Sequence, residues 1–327
     1  LKQIKGLAIL GLLLGIAVGK TGYANEENTE KTLEQFGLTG FSQFKFLGPN
    51  IFYNYFDFKF DSTKGSNFNQ FNGHSNFAGA QGNSIYSKYG GIITGLGLYG
   101  VNTSLDARQR FNPNTLATTH QTIKNNTLYG HIGKIINQSI YVDLTAGYGQ
   151  NKQNIDYLIN PGTSGTISGF SNNSGHNWFG NIAAYLGYEW QKWVVTGNLS
   201  YLYNQTHFDA YAVRYSTQTL PIAAINASSQ WLSENAKIKY KLSPMLTPYL
   251  QAGLSQVLNA SDNRPALTTP VVGSLPQLTA LKSGYRLGGG VNILYKPVVL
   301  NVQYKYYEAG NVYHSHLASV SLSFSIT

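Results

Sequence analysis

A membrane-spanning antiparallel β-barrel of about twelve strands is the all-β fold this sequence predicts, and three observations carry the prediction. The first is the stretch HSHLASVSLSFSIT, in which Ala318, Val320, Leu322, Phe324 and Ile326 alternate with Ser319, Ser321, Ser323, Ser325 and Thr327. Alternation with period two makes it a strand with one apolar and one hydroxyl face. Lipid cannot hydrogen-bond a free sheet edge, so in a membrane such a strand closes against another, with Val320, Leu322, Phe324 and Ile326 on the lipid side. The second is composition. The chain of 327 residues is 42% hydrophobic and only 11% charged, whereas a water-coated domain carries about 25% charged residues. The third is repetition: alternating segments recur along the chain between connections that are by turns very short and long, the asymmetry of a barrel with tight periplasmic turns and long outer loops.

The amino end has a different pattern. Lys2 and Lys5 precede the apolar run Gly6 to Val18, and small residues follow before the acidic NEENTE. This is the layout of a secretory signal peptide over residues 1–24, cut after Ala24. The run falls short of the roughly 20 residues a spanning helix needs. Residues 25–50 form a short segment with a helix candidate, NTEKTLEQF, capped by Thr29, and Thr29 to Phe36 is expected to plug the lumen. The barrel is expected over residues 51–327. No passenger-sized domain lies between the signal and the barrel. The formal charge of +9 loses Lys2, Lys5 and Lys20 with the signal, leaving +6. With no basic run of five, nucleic acid is not the expected partner. The absence of cysteine excludes disulfide and thiol chemistry.

Taken in order, the first strand is IFYNYFDFKF from Ile51. SIYSKYGGIITGLGLYGVNTSLDARQ, from Ser84, has the length of two strands folded at a glycine-rich turn between Thr94 and Gly97. NNTLYGHIGKII and SIYVDLTAGYGQN flank Asn137-Gln138. NWFGNIAAYLGYEW and WVVTGNLSYLYN flank Gln191-Lys192, with Trp178 and Trp190 bracketing the first of them on its apolar face. WLSENAKIKYKL and MLTPYLQAGLSQVL follow, then KSGYRLGGGVNILY and VVLNVQYKYYE around Lys296-Pro297, and last the closing strand. Tyr285 and Tyr295 share a face ten residues apart. At about 3.3 Å per residue and a tilt of about 40°, they are separated by about 25 Å along the membrane normal, the height of an apolar band between two aromatic girdles. Twelve strands place both ends of the barrel in the periplasm. Long outer loops are expected near residues 160–176, 210–229 and 260–281.

On the same parity Asp143, Glu189, Lys237, Lys239, Arg286 and Lys305 face the lumen. There they pair across the pore or set its ion preference.

The segments LYGHIGKIINQSIYVDLTAGYGQNK, IAAYLGYEW, WVVTGNLSYLYNQTHFD, LTPYLQAGLS and GYRLGGGVNILY with VVLNVQYKYYEAG, closed by an alternating strand, resemble the β-domain of autotransporters, the type V secretion translocators. The resemblance spans roughly Ile51 to Thr327. It implies a twelve-stranded barrel in the outer membrane of a Gram-negative cell envelope, inserted by the barrel-assembly machinery and acting as a porin-like translocator in secretion. The family's closing strand usually ends in an aromatic residue, where this one reads Phe324-Ser325-Ile326-Thr327.

Two rival functions follow from the loops: a surface adhesin or antigen that presents them to a host or cell-surface ligand, and an outer-membrane hydrolase. His207 and Asp209 at the rim have the residue types of an acid/base pair, but no serine is placed beside them by spacing, so no enzyme is expected. His314 and His316 lie on one face, and a strand-based metal site needs a third ligand that the spacing does not supply. Neither GGIITGLGLYG nor LGGGVN is followed by a helix, as a phosphate loop requires. No cofactor and no metal are expected.

Overall fold

A computed structural model describes residues 46–324, apart from 65–66, 87–90, 113–114, 138, 217, 263–282 and 296. The expected signal peptide and plug lie outside the described residues, as does Ile326. Twelve strands form the barrel: β1 (Phe46–Lys64), β2 (Asn67–Tyr86), β3 (Ile92–Asn112), β4 (Thr115–Asn137), β5 (Ile140–Ile159), β6 (Ile167–Trp190), β7 (Trp193–Phe208), β10 (Ile225–Tyr240), β11 (Leu246–Asp262), β12 (Gly284–Tyr295), β13 (Val298–Ala309) and β14 (Tyr313–Phe324). A small hairpin, β8 (Tyr211–Tyr215) and β9 (Thr219–Ile222), lies in the connection between β7 and β10. Each barrel strand pairs antiparallel with the next, and β14 closes on β1 from Asn50↔Ser323 to Phe60↔Tyr313.

The number of strands agrees with the sequence reading, but one hairpin does not. Thr94 to Gly97 is not a turn: β3 runs through it without a break, paired to β2 and β4. The twelfth strand is β2, whose sequence NFNQFNGHSNFAGAQGNSIY shows almost no apolar alternation. Its outward face is small: Ala78, Ala80 and Gly82 stand opposite Gly100, Leu98 and Leu96. The glycines of β3 serve space rather than chain reversal. A Cβ at Gly95 would collide with His131 and Asn83, and one at Gly97 with the Tyr129 ring. His314 and His316 lie within β14.

Exposure decides which way the barrel is solvated. Leu250 is 73% exposed and Leu96 70%, while Gln121 is 0% and Lys239 4%. Apolar side chains outside and polar ones inside require lipid around the barrel. Aromatic residues bound the apolar band: Trp178 packs at a tilt against Tyr203, 4.9 Å between ring centroids, near its outer edge, and Trp193 against Tyr240 at 4.7 Å near its inner edge.

Above the outer girdle the pattern inverts. In β5 the outward residues are Leu144 and Tyr148 within the band, then Gln150, Lys152, Asn154 and Asp156 above it, while the inward ones pass from Asp143 to buried Ile155 and Tyr157. β4 changes at the same height, from Leu128 to Asn126, Lys124 and His120. The upper barrel therefore obeys the rule of a water-soluble one. β6 has 24 residues and β14 only 12, about 80 Å against 40 Å along the strand. One side of the barrel thus stands as a tall extracellular wall. The expected loop over residues 160–176 is reduced to 160–166, because β6 already begins at Ile167.

Among the described residues, two apolar clusters lie inside this upper part. Phe58, Phe60, Phe71, Leu105 and Ile123 form one of them. The other sets Ile155 and Tyr157 against Val213 and Ile222 of the β8–β9 hairpin. β7 ends at Phe208, leaving the edge of β6 free above it, and β8 takes that edge at Gly169↔Tyr215 and Phe170↔Arg214. Burial pushes the phenol of Tyr215 up to about 12 and raises that of Tyr157 as well.

Candidate functional site in the barrel lumen

The lumen has two unlike walls. On β2–β5 the side chains form a closed polar network. Asp143, 7% exposed, accepts hydrogen bonds from the Tyr141 hydroxyl at 2.6 Å, the Thr145 hydroxyl at 2.7 Å and Nδ1 of His131 at 2.8 Å. Nε2 of His131 lies 2.8 Å from Asn83 Oδ1 and 3.0 Å from Gln81 Nε2. The Tyr129 hydroxyl donates to Gln81 at 2.7 Å. Every group here has a partner, which a buried polar network needs to be stable. A histidine oriented by an aspartate is half of a nucleophilic triad, but the groups at its far nitrogen are amides and not nucleophiles.

Halfway round the ring, β10–β13 carry cations. Lys237, Lys239, Arg286 and Lys305 lie on the inward parity of these strands. Lys239 is buried, and the Lys237 ammonium lies 4.5 Å from the centre of the Tyr249 ring, a cation–π contact. Arg286 Nη2 donates to Ser255 Oγ at 2.7 Å. Beneath them Tyr249, Asn301 and Asn292 are joined, with Asn301 Nδ2 donating to Asn292 at 2.5 Å and to the Tyr249 oxygen at 3.0 Å. Glu189 stands apart at the periplasmic end, bound to Lys241 at 2.8 Å and about one-third exposed. Asp143 is thus on the wall opposite the cations and is joined to none of them.

His131, Gln251 and Tyr249 were not singled out from sequence as site residues. Alternation puts each opposite an apolar neighbour, and that was the signal available for them.

The rim pair has its own geometry. His207 Nε2 is 3.5 Å from Asp209 Oδ1, and Ser174 Oγ donates to Asp209 Oδ2 at 2.9 Å. The serine therefore hydrogen-bonds the carboxylate rather than the imidazole, whose Nδ1 is taken by Asn226 at 2.7 Å. His314 and His316 face outward, and His316 is bound by the Tyr304 hydroxyl at 2.5 Å. Among the described residues no group of three His, Cys, Asp or Glu is placed to hold a metal.

Residues 50–305, most of the chain, match the family model of the autotransporter beta-domain. The chain belongs to the autotransporter β-domain family. Solved structures agree with it in fold. The translocator domain of the autotransporter NalP from Neisseria meningitidis superposes with a TM-score of 0.61 at 14% identity, over 93% of this chain and 99% of that one. The transport unit of the autotransporter AIDA-I from Escherichia coli gives 0.60 at 9% identity, over 93% and 100%. The β-domain of the Bordetella autotransporter BrkA gives 0.57 at 14%, over 85% and 100%. Among curated protein sequences none matches the chain. As an autotransporter β-domain the protein is an integral β-barrel of the bacterial outer membrane, with lipid as its surroundings.

Proposed function

We propose that this barrel is a passive conduit across the outer membrane, a pore or translocator and not an enzyme. One observation carries the reading: within the band Leu96, Leu128, Leu250 and Leu287 face out, while Asp143, Lys237, Lys239, Arg286 and Lys305 lie on the inward parity. A polar lumen enclosed by lipid is a path for water and ions. The barrel-assembly machinery is the partner for insertion, acting on a sheet whose last strand must find its first. In planar bilayers the purified chain should give discrete conductance steps. Protein that is folded by its gel mobility yet never conducts would refute the reading.

The tall wall favours a second reading, a surface adhesin. Asp106, His120, Lys124, Lys152 and Asp156 face outward above the outer girdle, on strands that a minimal pore does not need. Cell binding lost on replacing these residues, with conductance retained, would select it. A hydrolase is the weakest of the three readings, since Ser174 donates to Asp209 and has no base.

A further inference from the structure

The wall of β10–β13 collects cations and buried hydrogen-bond donors, together with a buried acceptor that has no partner, Asn235 Oδ1. Lys237, Gln251, Gly288 and Lys305 stand in one register row across four strands. The adjoining row toward the outer mouth holds Asn235, Gly253, Arg286 and Tyr307. Gln251 is 7% exposed, and its Nε2, the Nε of Arg286 and the hydroxyl of Tyr307 are buried with no hydrogen-bond partner. Among the described residues, no carboxylate pairs with Lys237, Arg286 or Lys305.

Two glycines give room to the cationic side chains. A Cβ at Gly288 would lie 3.0 Å from Cγ of Lys305, and one at Gly253 would lie 3.3 Å from Cγ of Arg286. The long cationic side chains lie across these glycines, close to the wall. Lys237, Arg286 and Lys305 are partly exposed and have no counter-charge beside them among the described residues, and a buried donor left without a partner is costly. An anion at this wall answers both. A guanidinium, two ammonium groups and an amide N–H carried on two adjoining register rows offer several donors, the complement of the acceptor lone pairs of a phosphate or carboxylate.

We propose that Lys237, Gln251, Arg286 and Lys305 form a binding site for a small oxyanion, of the phosphate or carboxylate class, on the lumen wall. The site rests on the reading of the lumen as an aqueous path, since the anion reaches it through water. Its test does not depend on conduction, so failure of one reading is distinguishable from failure of the other.

Inorganic phosphate is titrated by calorimetry into the full chain refolded in detergent, at constant ionic strength. One saturable phosphate per barrel is expected. Arg286→Gln with Lys305→Gln should weaken binding at least tenfold, and Lys305→Gln alone should weaken it measurably. Lys124→Gln with Lys152→Gln, two outward lysines above the membrane, should leave it unchanged. Unboiled gel mobility confirms that each variant is folded. A further arm, Glu26→Gln with Glu27→Gln, Glu30→Gln and Glu34→Gln, separates two sources of oxyanion. Phosphate binding seen only in that variant assigns the site to a carboxylate of the chain's own amino-terminal segment. Binding absent from both backgrounds, or unchanged by the Arg286 and Lys305 substitutions, overturns the proposal.

Discussion

Asp143 shows how much one buried side chain depends on its neighbours. Its register partner is Gly133, and a Cβ there would meet the Tyr141 hydroxyl that donates to the carboxylate. The glycine leaves the room in which three donors converge. Asp143→Asn keeps the shape but replaces a charged double acceptor with an amide that brings its own N–H donors. The cost should be about 1–3 kcal/mol for the bonds lost or left unsatisfied, read as a lower urea midpoint for the folded band on a gel. An unchanged midpoint would mean that the network is solvated and not structural. Parity in the sequence places His131 and Asp143 on the same side of adjacent strands. It does not say that they touch, because contact depends on a register that alternation alone leaves free by steps of two.

At the scale of elements, the β8–β9 hairpin is the part that no pattern foretold. It is held by Val213, 0% exposed, and Ile222 against Ile155 and Tyr157, and by the edge of β6 that β7 leaves free. Val213→Asp puts an unpaired carboxylate into that contact and should release the hairpin while the twelve strands remain closed. The hairpin should then become protease-sensitive in a barrel whose unboiled mobility is normal. Loss of that mobility as well would show that the hairpin supports the barrel itself.

The closing strand allows a sharper comparison. Val320, 42% exposed, sits in an outward row with Val302 and Tyr53. Val320→Arg should cost about 2–4 kcal/mol if the row lies near the bilayer midplane. Ser321→Arg, on the wet inner parity, should cost clearly less in the same urea titration. Equal costs would mean that the two faces are not solvated differently.

For the molecule as a whole, the decisive property is that one chain obeys two solvation rules. Below the outer girdle the apolar face points out, and above it the apolar face points in, as β5 shows within a single strand. A closed sheet of this kind resists detergent until heated. The unboiled protein should therefore run faster than the boiled one, and should be found in the outer-membrane fraction. A single mobility, with the protein soluble in the periplasm, would contradict the lipid-facing assignment of Leu250 and Leu96.

Period-two alternation was written in the sequence for β4 to β7 and β10 to β14, and with it the fold class and the girdle residues Trp178, Trp190, Tyr285 and Tyr295; the even strand count came from the general rule for such barrels and not from any pattern in β2. Alternation and girdle residues are local properties, set by neighbours one and two residues apart, and so they survive in a linear reading. Tertiary structure alone decided the rest. It made β2 a strand despite its Asn- and Gly-rich sequence, because both its edges are paired, to β1 and β3. It carried β3 through glycines that look like a turn, because Tyr129 and His131 of another strand need the space. It extended the wall beyond the membrane, where the reversed pattern no longer reads as a lipid-facing strand. It also brought Lys237, Gln251, Arg286 and Lys305 onto one wall, from positions up to 68 residues apart. Each of these outcomes depends on which strands lie side by side, and that is decided by closure of the sheet in three dimensions and not by any single segment.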